Sequence, residues 1–216
     1  MVPMLPRLYA VVDTATLDAC GMNPVEFAAA LLEGGARLLQ FRHKGVYSDE
    51  RFQQLHSVAA LCRDAGAQLI VNDRADLATI VDAGLHVGQG DLSPALARAV
   101  IGAAMLGLST ATVEQMRAAA AEPVDYVALG PVFATSSKPD ADPVVGLEVL
   151  RSCRALTPKP LVAIGGITLE NAQSVLEAGA DSVAVIRDLL PVGGAAAPGS
   201  LDIRGRVEEW VLCLGK

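Results

Sequence analysis

Gln68-Leu69-Ile70-Val71-Asn72-Asp73-Arg74 decides the fold. Its consecutive apolar residues, with no alternation, read as a strand buried on both faces, the kind found in parallel sheets. A helical segment over 74–83 and a stop at Gly84 follow directly, so the stretch is one strand-then-helix unit. The same unit recurs in both directions along the chain. Downstream, Leu85-His86-Val87-Gly88 is a short strand with Gln89-Gly90-Asp91 behind it, and Ser93-Pro94 opens a helix as cap and first residue. Strands 105–109 and 125–130 lead to helices 112–121 and 146–156; strands 160–164 and 181–186 lead to helices 168–178 and 202–214. In the last helix Val207, Trp210, Val211 and Leu214 share one face. Upstream, strand 8–13 precedes a helix over 24–34, and strand 37–42 precedes a helix over 49–65 with Asp49 as its N-cap and Gly66 as its stop.

Eight such units of about 25 residues each predict a single (β/α)8 TIM-barrel domain, with the barrel over about 8–214 and a flexible small-residue loop over 191–200. An open doubly wound sheet is the competing architecture. It lacks support, because no Gly-x-Gly-x-x-Gly follows the first strand.

The 216 residues are 52% hydrophobic but only 4% aromatic, which suits close packing of helices on a sheet. A net charge of -7 argues against a nucleic-acid partner, although a few cations focused in a cleft still attract a small anion. Cys20, Cys62, Cys153 and Cys213 are scattered, with no metal-like spacing to His43, His56 or His86, so a reducing, cytoplasmic setting is expected. Prolines at Pro3 and Pro6 interrupt the N-terminus where a signal peptide needs a continuous apolar helix, and no run is long enough to span a membrane. Oligomeric state is not legible; a homo-oligomer is compatible with all of this.

In a barrel the residues just past each strand share one mouth. Here those residues are Asp13; Gln40, Arg42 and Lys44; Asn72, Asp73 and Arg74; Gln89 and Asp91; Ser109; Thr135, Ser136, Ser137 and Lys138; Gly165 and Gly166; and Ile186 and Arg187. Asp73 and Asp91, from neighbouring units, would face one another, as two carboxylates holding Mg²⁺ do while water and phosphate oxygens complete the octahedron. The competing role for each is to cap the helix that follows it. Arg42, Lys44 and Lys138 form a basic cluster suited to phosphate, or alternatively a salt-bridge network with those carboxylates. Gly165-Gly166 and the backbone after Ile186 lie where barrels commonly dock a phosphate. His86 is expected to pack beneath the mouth, His43 to point away from the side used by Arg42 and Lys44, and His56 to lie on a helix surface. No histidine or cysteine stands as a general base or nucleophile.

Gln40-Phe41-Arg42-His43-Lys44, Asn72-Asp73-Arg74-Ala75-Asp76-Leu77-Ala78, His86-Val87-Gly88-Gln89-Gly90-Asp91-Leu92, Gly130-Pro131-Val132-Phe133-Ala134-Thr135-Ser136-Ser137-Lys138 and Ile164-Gly165-Gly166-Ile167 resemble, in order, the motifs of the thiamine-phosphate synthase family. The resemblance runs from about Leu8 to Leu190. It implies coupling of hydroxymethylpyrimidine diphosphate to a thiazole phosphate, carboxylated or not, with release of pyrophosphate and formation of thiamine phosphate. It implies that Gln40, Phe41, Arg42, His43, Lys44, Asn72, Ser109 and Lys138 bind the pyrimidine diphosphate, and that Asp73 and Asp91 bind Mg²⁺. Thr135, Ser136, Ser137, Gly165, Gly166, Ile186 and Arg187 would hold the thiazole phosphate. Catalysis would fall to Arg42, Lys44 and Lys138 acting on the leaving group.

The chain departs from the family pattern at Ser109-Thr110-Ala111, where a histidine commonly occupies the place of Ala111, at Ser137, where threonine is frequent, and at Arg187, which is often serine. A thiazole tautomerase relative is the nearest alternative, but it typically carries a histidine where Pro131 stands and lacks the full diphosphate-binding set. A non-catalytic thiamine-phosphate binding protein is the alternative of a different class. If Lys138 meets the departing pyrophosphate, Lys138→Ala cuts turnover strongly with little change in melting temperature. A large loss of stability with activity per folded molecule preserved would show a structural lysine instead.

Overall fold

The computed structural model describes residues 5–135, 142–190 and 199–215. Eight parallel strands close into a barrel in sequence order: β1 (Leu8–Asp13), β2 (Leu38–Arg42), β3 (Gln68–Asn72), β4 (Gly84–Val87), β5 (Leu106–Thr110), β6 (Tyr126–Leu129), β7 (Leu161–Ile164) and β8 (Ser182–Val185). Closure is completed by β8 pairing with β1 in the register Leu8 to Val183 and Tyr9 to Ala184. The TIM barrel expected from the repeated unit is therefore the fold.

The helices are α1 (Thr14–Ala19), α2 (Pro24–Glu33), α3 (Asp49–Asp64), α4 (Ala75–Ile80), α5 (Pro94–Ile101), α6 (Val113–Ala121), α7 (Gly146–Arg154), α8 (Ala172–Glu177) and α9 (Ser200–Leu214), with a 3₁₀ turn over Arg187–Leu189. Local chemistry explains several of their ends. Asn23 accepts from the Val25 N–H at 2.8 Å and Pro24 fills the first helical position of α2. Ser48, not Asp49, caps α3: its hydroxyl accepts from the Arg51 N–H, and Asp49 moves into the first turn, where its charge favours the helix dipole. Helix α4 is shorter than the 74–83 expected, because Asp82 takes a left-handed φ of 54° and Gly84 begins β4 instead of stopping a helix. Likewise α8 covers only part of 168–178. The short α1, capped by Asp13, was not foreshadowed by apolar spacing.

Two apolar layers form. Outward-facing strand residues such as Ala10, Leu39, Phe41, Val71 and Leu85 pack against the helices. Inward-facing Tyr9, Val11, Leu38, Ile70, Tyr126, Ala128, Val162 and Ala184 fill the barrel, with Leu5 packed against them. Helix α9 contributes Ile203, Val207, Trp210 and Leu214 to the outer layer, each burial worth about 2 kcal/mol. Asp188 fixes that helix by accepting from Arg206 Nη2 at 2.6 Å and from Trp210 Nε1 at 3.1 Å. Among the described residues no helix is long and apolar enough to cross a membrane.

Barrel filling sets one tight requirement on β5. A Cβ on Gly107 would lie 2.0 Å from Cζ of Tyr126, whose ring crosses the barrel at that level. Gly107→Ala should lower stability by about 2 kcal/mol in a urea titration, as overpacked interiors do. An unchanged midpoint would show that the tyrosine ring can move aside.

Candidate functional site

Alternation along the strands decides what reaches the mouth. Gln40 and Arg42 of β2, Asn72 of β3, His86 of β4, Ser109 of β5 and Ile164 of β7 all border a cavity of about 540 Å³ at the C-terminal ends of the strands. Lys44, Asp73, Asp91, Thr135, Gly165, Gly166, Ile186 and Arg187 also line it, from the turns just beyond.

On one wall, Arg42 is held by a salt bridge to Asp13, which is 2% exposed and also accepts from the Thr16 N–H and hydroxyl. Lys44 bonds Asp73, with the lysine side chain 49% exposed. Asp73 sits at a φ of 64°, a left-handed conformation that aspartate tolerates better than most residues. The ladder explains how it is held there: its N–H bonds the His86 carbonyl at 2.8 Å, one residue past the end of β3. Asp91 accepts from the Gly88 N–H at 2.7 Å across the turn after β4.

Neither aspartate caps a helix, since Arg74 and Ser93 occupy the cap positions of α4 and α5. Instead the two carboxylates stand close enough for each to bear on the other's charge. Burial, and then the proximity of Asp91, pushes the Asp73 carboxyl up despite Lys44. Burial opposes the charge on Asp91 as well, but the nearby Asp73 and the bond from the Gly88 N–H bring its carboxyl down. The pair is thus a crowded site for negative charge. Among the described residues no group of three or more His, Cys, Asp or Glu side chains is placed to hold a metal, so the donor set here is two carboxylates.

Asn72 is 5% exposed, and its Nδ2 has no hydrogen-bond partner among the described residues, which leaves a buried donor at the cavity wall. On the opposite wall Gly165 and Gly166 take φ values of 101° and 63°, and a Cβ on either would meet Pro131 or Ala134 within 2.6 Å. Only glycines let the backbone make this turn against that loop. Asn171 braces it by donating to the Gly166 carbonyl at 3.0 Å.

Phe41 and His43 do not reach the cavity. Phe41 is fully buried between strand and helices. His43 turns outward, with Nδ1 2.8 Å from Thr14 Oγ1 and its ring edge-on to Tyr47. Arg74 also turns away, bonding Asp76. Ser136, Ser137 and Lys138 lie outside the described residues.

The residues that sequence reading missed are Tyr9 and Tyr126, which stand under the cavity with their hydroxyls 2.9 Å apart. The available signal was a tyrosine inside an otherwise apolar strand, since a buried hydroxyl requires a partner. Gln115 is another: it lines the cavity while its Oε1 accepts from the Ala111 N–H.

A closed parallel barrel whose mouth joins a carboxylate pair, two cations and a glycine turn defines the class: an α/β-barrel enzyme for phosphorylated small molecules. The model of the family described as thiamine monophosphate synthase matches residues 8–189, and the chain belongs to that family. It is 51% identical over 193 residues to the thiamine-phosphate synthase of Koribacter versatilis, covering 86% of this chain and 90% of that one. Identity to the thiamine-phosphate synthase of Moorella thermoacetica is 42% over 192 residues, covering 88% and 90%. Among solved structures, thiamine phosphate pyrophosphorylase from Pyrococcus furiosus superposes with a TM-score of 0.83 at 33% identity, covering 96% of this chain and 95% of that one.

Removing one carboxylate oxygen's charge beneath Arg42 tests how the cation is held. Asp13→Asn should cost about 3 kcal/mol of stability, because it leaves a mostly buried guanidinium without its counter-charge. Calorimetric or denaturant unfolding checks this, and a loss below the scatter of surface variants would show Arg42 anchored by other means.

Proposed function

We infer that the protein is a thiamine-phosphate synthase, joining 4-amino-2-methyl-5-hydroxymethylpyrimidine diphosphate to a thiazole phosphate with release of pyrophosphate. The observation that carries this reading is the Asp73–Asp91 pair set beside Arg42 and Lys44, across one cavity from the glycine turn at Gly165-Gly166. The donor set suits Mg²⁺: two hard oxygen ligands from neighbouring turns leave the rest of an octahedron to water and phosphate. When bound there, Mg²⁺ would supply charge neutralisation for the diphosphate leaving group.

Arg42 and Lys44 neutralise the same leaving group, joined by Lys138 from the stretch outside the described residues. Positive charge developing on the pyrimidine methylene carbon is delocalised by the electron-rich aminopyrimidine, and the thiazole nitrogen attacks that carbon. No enzyme nucleophile is required. Gln40 and Ser109 orient the pyrimidine, and Asn72 Nδ2 gives its unused hydrogen to the pyrimidine diphosphate. The backbone at Gly165, Gly166, Ile186 and Arg187, with Thr135 and the hydroxyls of Ser136 and Ser137, holds the thiazole phosphate. Phe41 and His43 serve indirectly, by packing the strand that carries Arg42. Most of the catalytic benefit then comes from bringing two rings into contact in a preorganised polar site. Unpaired cysteines, two exposed and two buried, suit a reducing cytoplasm.

Purified protein supplied with both substrates and Mg²⁺ should release pyrophosphate and form thiamine phosphate, lose activity in EDTA and regain it with added Mg²⁺. Asp91→Asn should lower kcat/KM by on the order of 10²-fold and raise the Mg²⁺ concentration needed. Tight binding of both substrates without pyrophosphate release would overturn the enzyme reading, and running the assay with each thiazole form identifies the preferred acceptor.

A further inference from the structure

A file of polar side chains crosses the barrel beneath the cavity. Gln40 donates from Nε2 to Tyr9 Oη at 2.9 Å, and Tyr9 Oη lies 2.9 Å from Tyr126 Oη. Tyr126 Oη lies 2.9 Å from His86 Nδ1, and His86 Nε2 lies 2.7 Å from Ser109 Oγ. Five strands are joined this way, and the two ends of the file, Gln40 and Ser109, both border the cavity. Neither phenol is placed to ionise, since burial pushes both hydroxyls up. Each therefore has one proton to give.

Counting protons fixes the direction. Tyr9 already accepts from the Gln40 amide, so its own proton goes to Tyr126. Tyr126 must then pass its proton to His86 Nδ1, which makes that nitrogen an acceptor and places the ring proton on Nε2. The Nε2–H donates to Ser109 Oγ, and the serine proton is left to point elsewhere. Run in reverse, Tyr9 would receive two donors and its own proton would find no acceptor in the file.

We propose that Tyr9 and Tyr126 are positioning residues that lock His86 as the neutral Nε2–H tautomer and thereby present Ser109 to the cavity as a hydrogen-bond donor. This rests on the synthase reading and sharpens it. With its proton free and one lone pair taken by His86, Ser109 favours an acceptor over it, such as an unprotonated ring nitrogen. At the other end Gln40, its Nε2 committed to Tyr9, keeps Oε1 for a donor such as an exocyclic amine. A 4-aminopyrimidine offers both groups; a 4-oxo-pyrimidine, with N–H and C=O in their places, meets donor with donor and acceptor with acceptor. The file thus selects aminopyrimidine over oxopyrimidine.

Nitrogen NMR of the ¹⁵N-histidine-labelled protein in mildly alkaline buffer, with the His86 signals identified by their loss in His86→Gln, should show His86 as the Nε2–H tautomer. Tyr126→Phe should let the Nδ1–H form appear, raise KM for the aminopyrimidine diphosphate roughly tenfold, change kcat less, and narrow discrimination against the 4-oxo analogue. KM for the thiazole phosphate should stay put. Wild-type His86 in the Nδ1–H form overturns the proposal, as does a folded Tyr126→Phe with unchanged KM and discrimination. If Tyr126→Phe fails to fold, Tyr9→Phe, which cuts the file one link earlier, is measured in the same way. Calorimetry separates the two readings: wild type that fails to bind the aminopyrimidine diphosphate defeats the assigned substrate, while the tautomer measurement still decides the file's direction.

Discussion

Everything in this molecule depends on the pleat of a closed parallel barrel, which sends alternate side chains to an interior no wider than a few residues. One parity, through Leu39, Phe41, Val71 and Leu85, meets the helices; the other, through Leu38, Gln40, Ile70, Asn72 and His86, meets itself. Along each inward row the chemistry changes from apolar to polar toward the C-terminal end. Leu38 precedes Gln40 and Arg42, and Ile70 precedes Asn72, so a single geometric rule builds both the plug and the site above it.

The plug is not wholly apolar, and that has a cost. Two tyrosines, a glutamine and a histidine are buried at mid-barrel, and each polar atom left unpaired there would cost about 1–3 kcal/mol. Linking them into one file removes most of that penalty. The same constraint explains Gly107, since a side chain on β5 at that level would displace Tyr126 and break the file. Asn72 is the exception: among the described residues its buried Nδ2 has no partner, which leaves a donor at the cavity wall for an acceptor to use.

Architecture was legible because βα units repeat a pattern that local residues specify: apolar runs, caps and glycine stops. The cavity-lining positions were legible for the same reason, since position relative to a strand's end is a matter of counting. Two kinds of feature were not. Helix ends such as Ser48 over Asp49, and the turn at Asp82, depend on which of several adjacent polar residues wins a backbone N–H, a contest decided by a few tenths of a kcal/mol to about one. The family resemblance, carried over as one run from Gln40 to Lys44, also put Phe41 and His43 among the ligand contacts, although strand parity sends Phe41 outward and turns His43 away from the side used by Arg42 and Lys44. The tyrosine file was invisible because its members are 23 to 117 residues apart in partner pairs, and only closure of the barrel brings them together.

The two cations beside the carboxylate pair are held in different ways, and the difference bears on how a leaving group is met. Arg42 is mostly buried against a carboxylate that is itself fixed by two Thr16 bonds, so its position is set before any ligand arrives. Lys44 is half exposed on Asp73, and an ion pair of that kind is worth no more than about 1 kcal/mol. Exchanging Asp73 for a phosphate oxygen would therefore cost Lys44 little, and under the proposed function a cation taking its place at Asp73 would relieve the crowding with Asp91. On the proposed reading, one fixed charge would orient the diphosphate and one movable charge would follow it, and a chain with a net charge of -7 needs only that local arrangement to gather an anion.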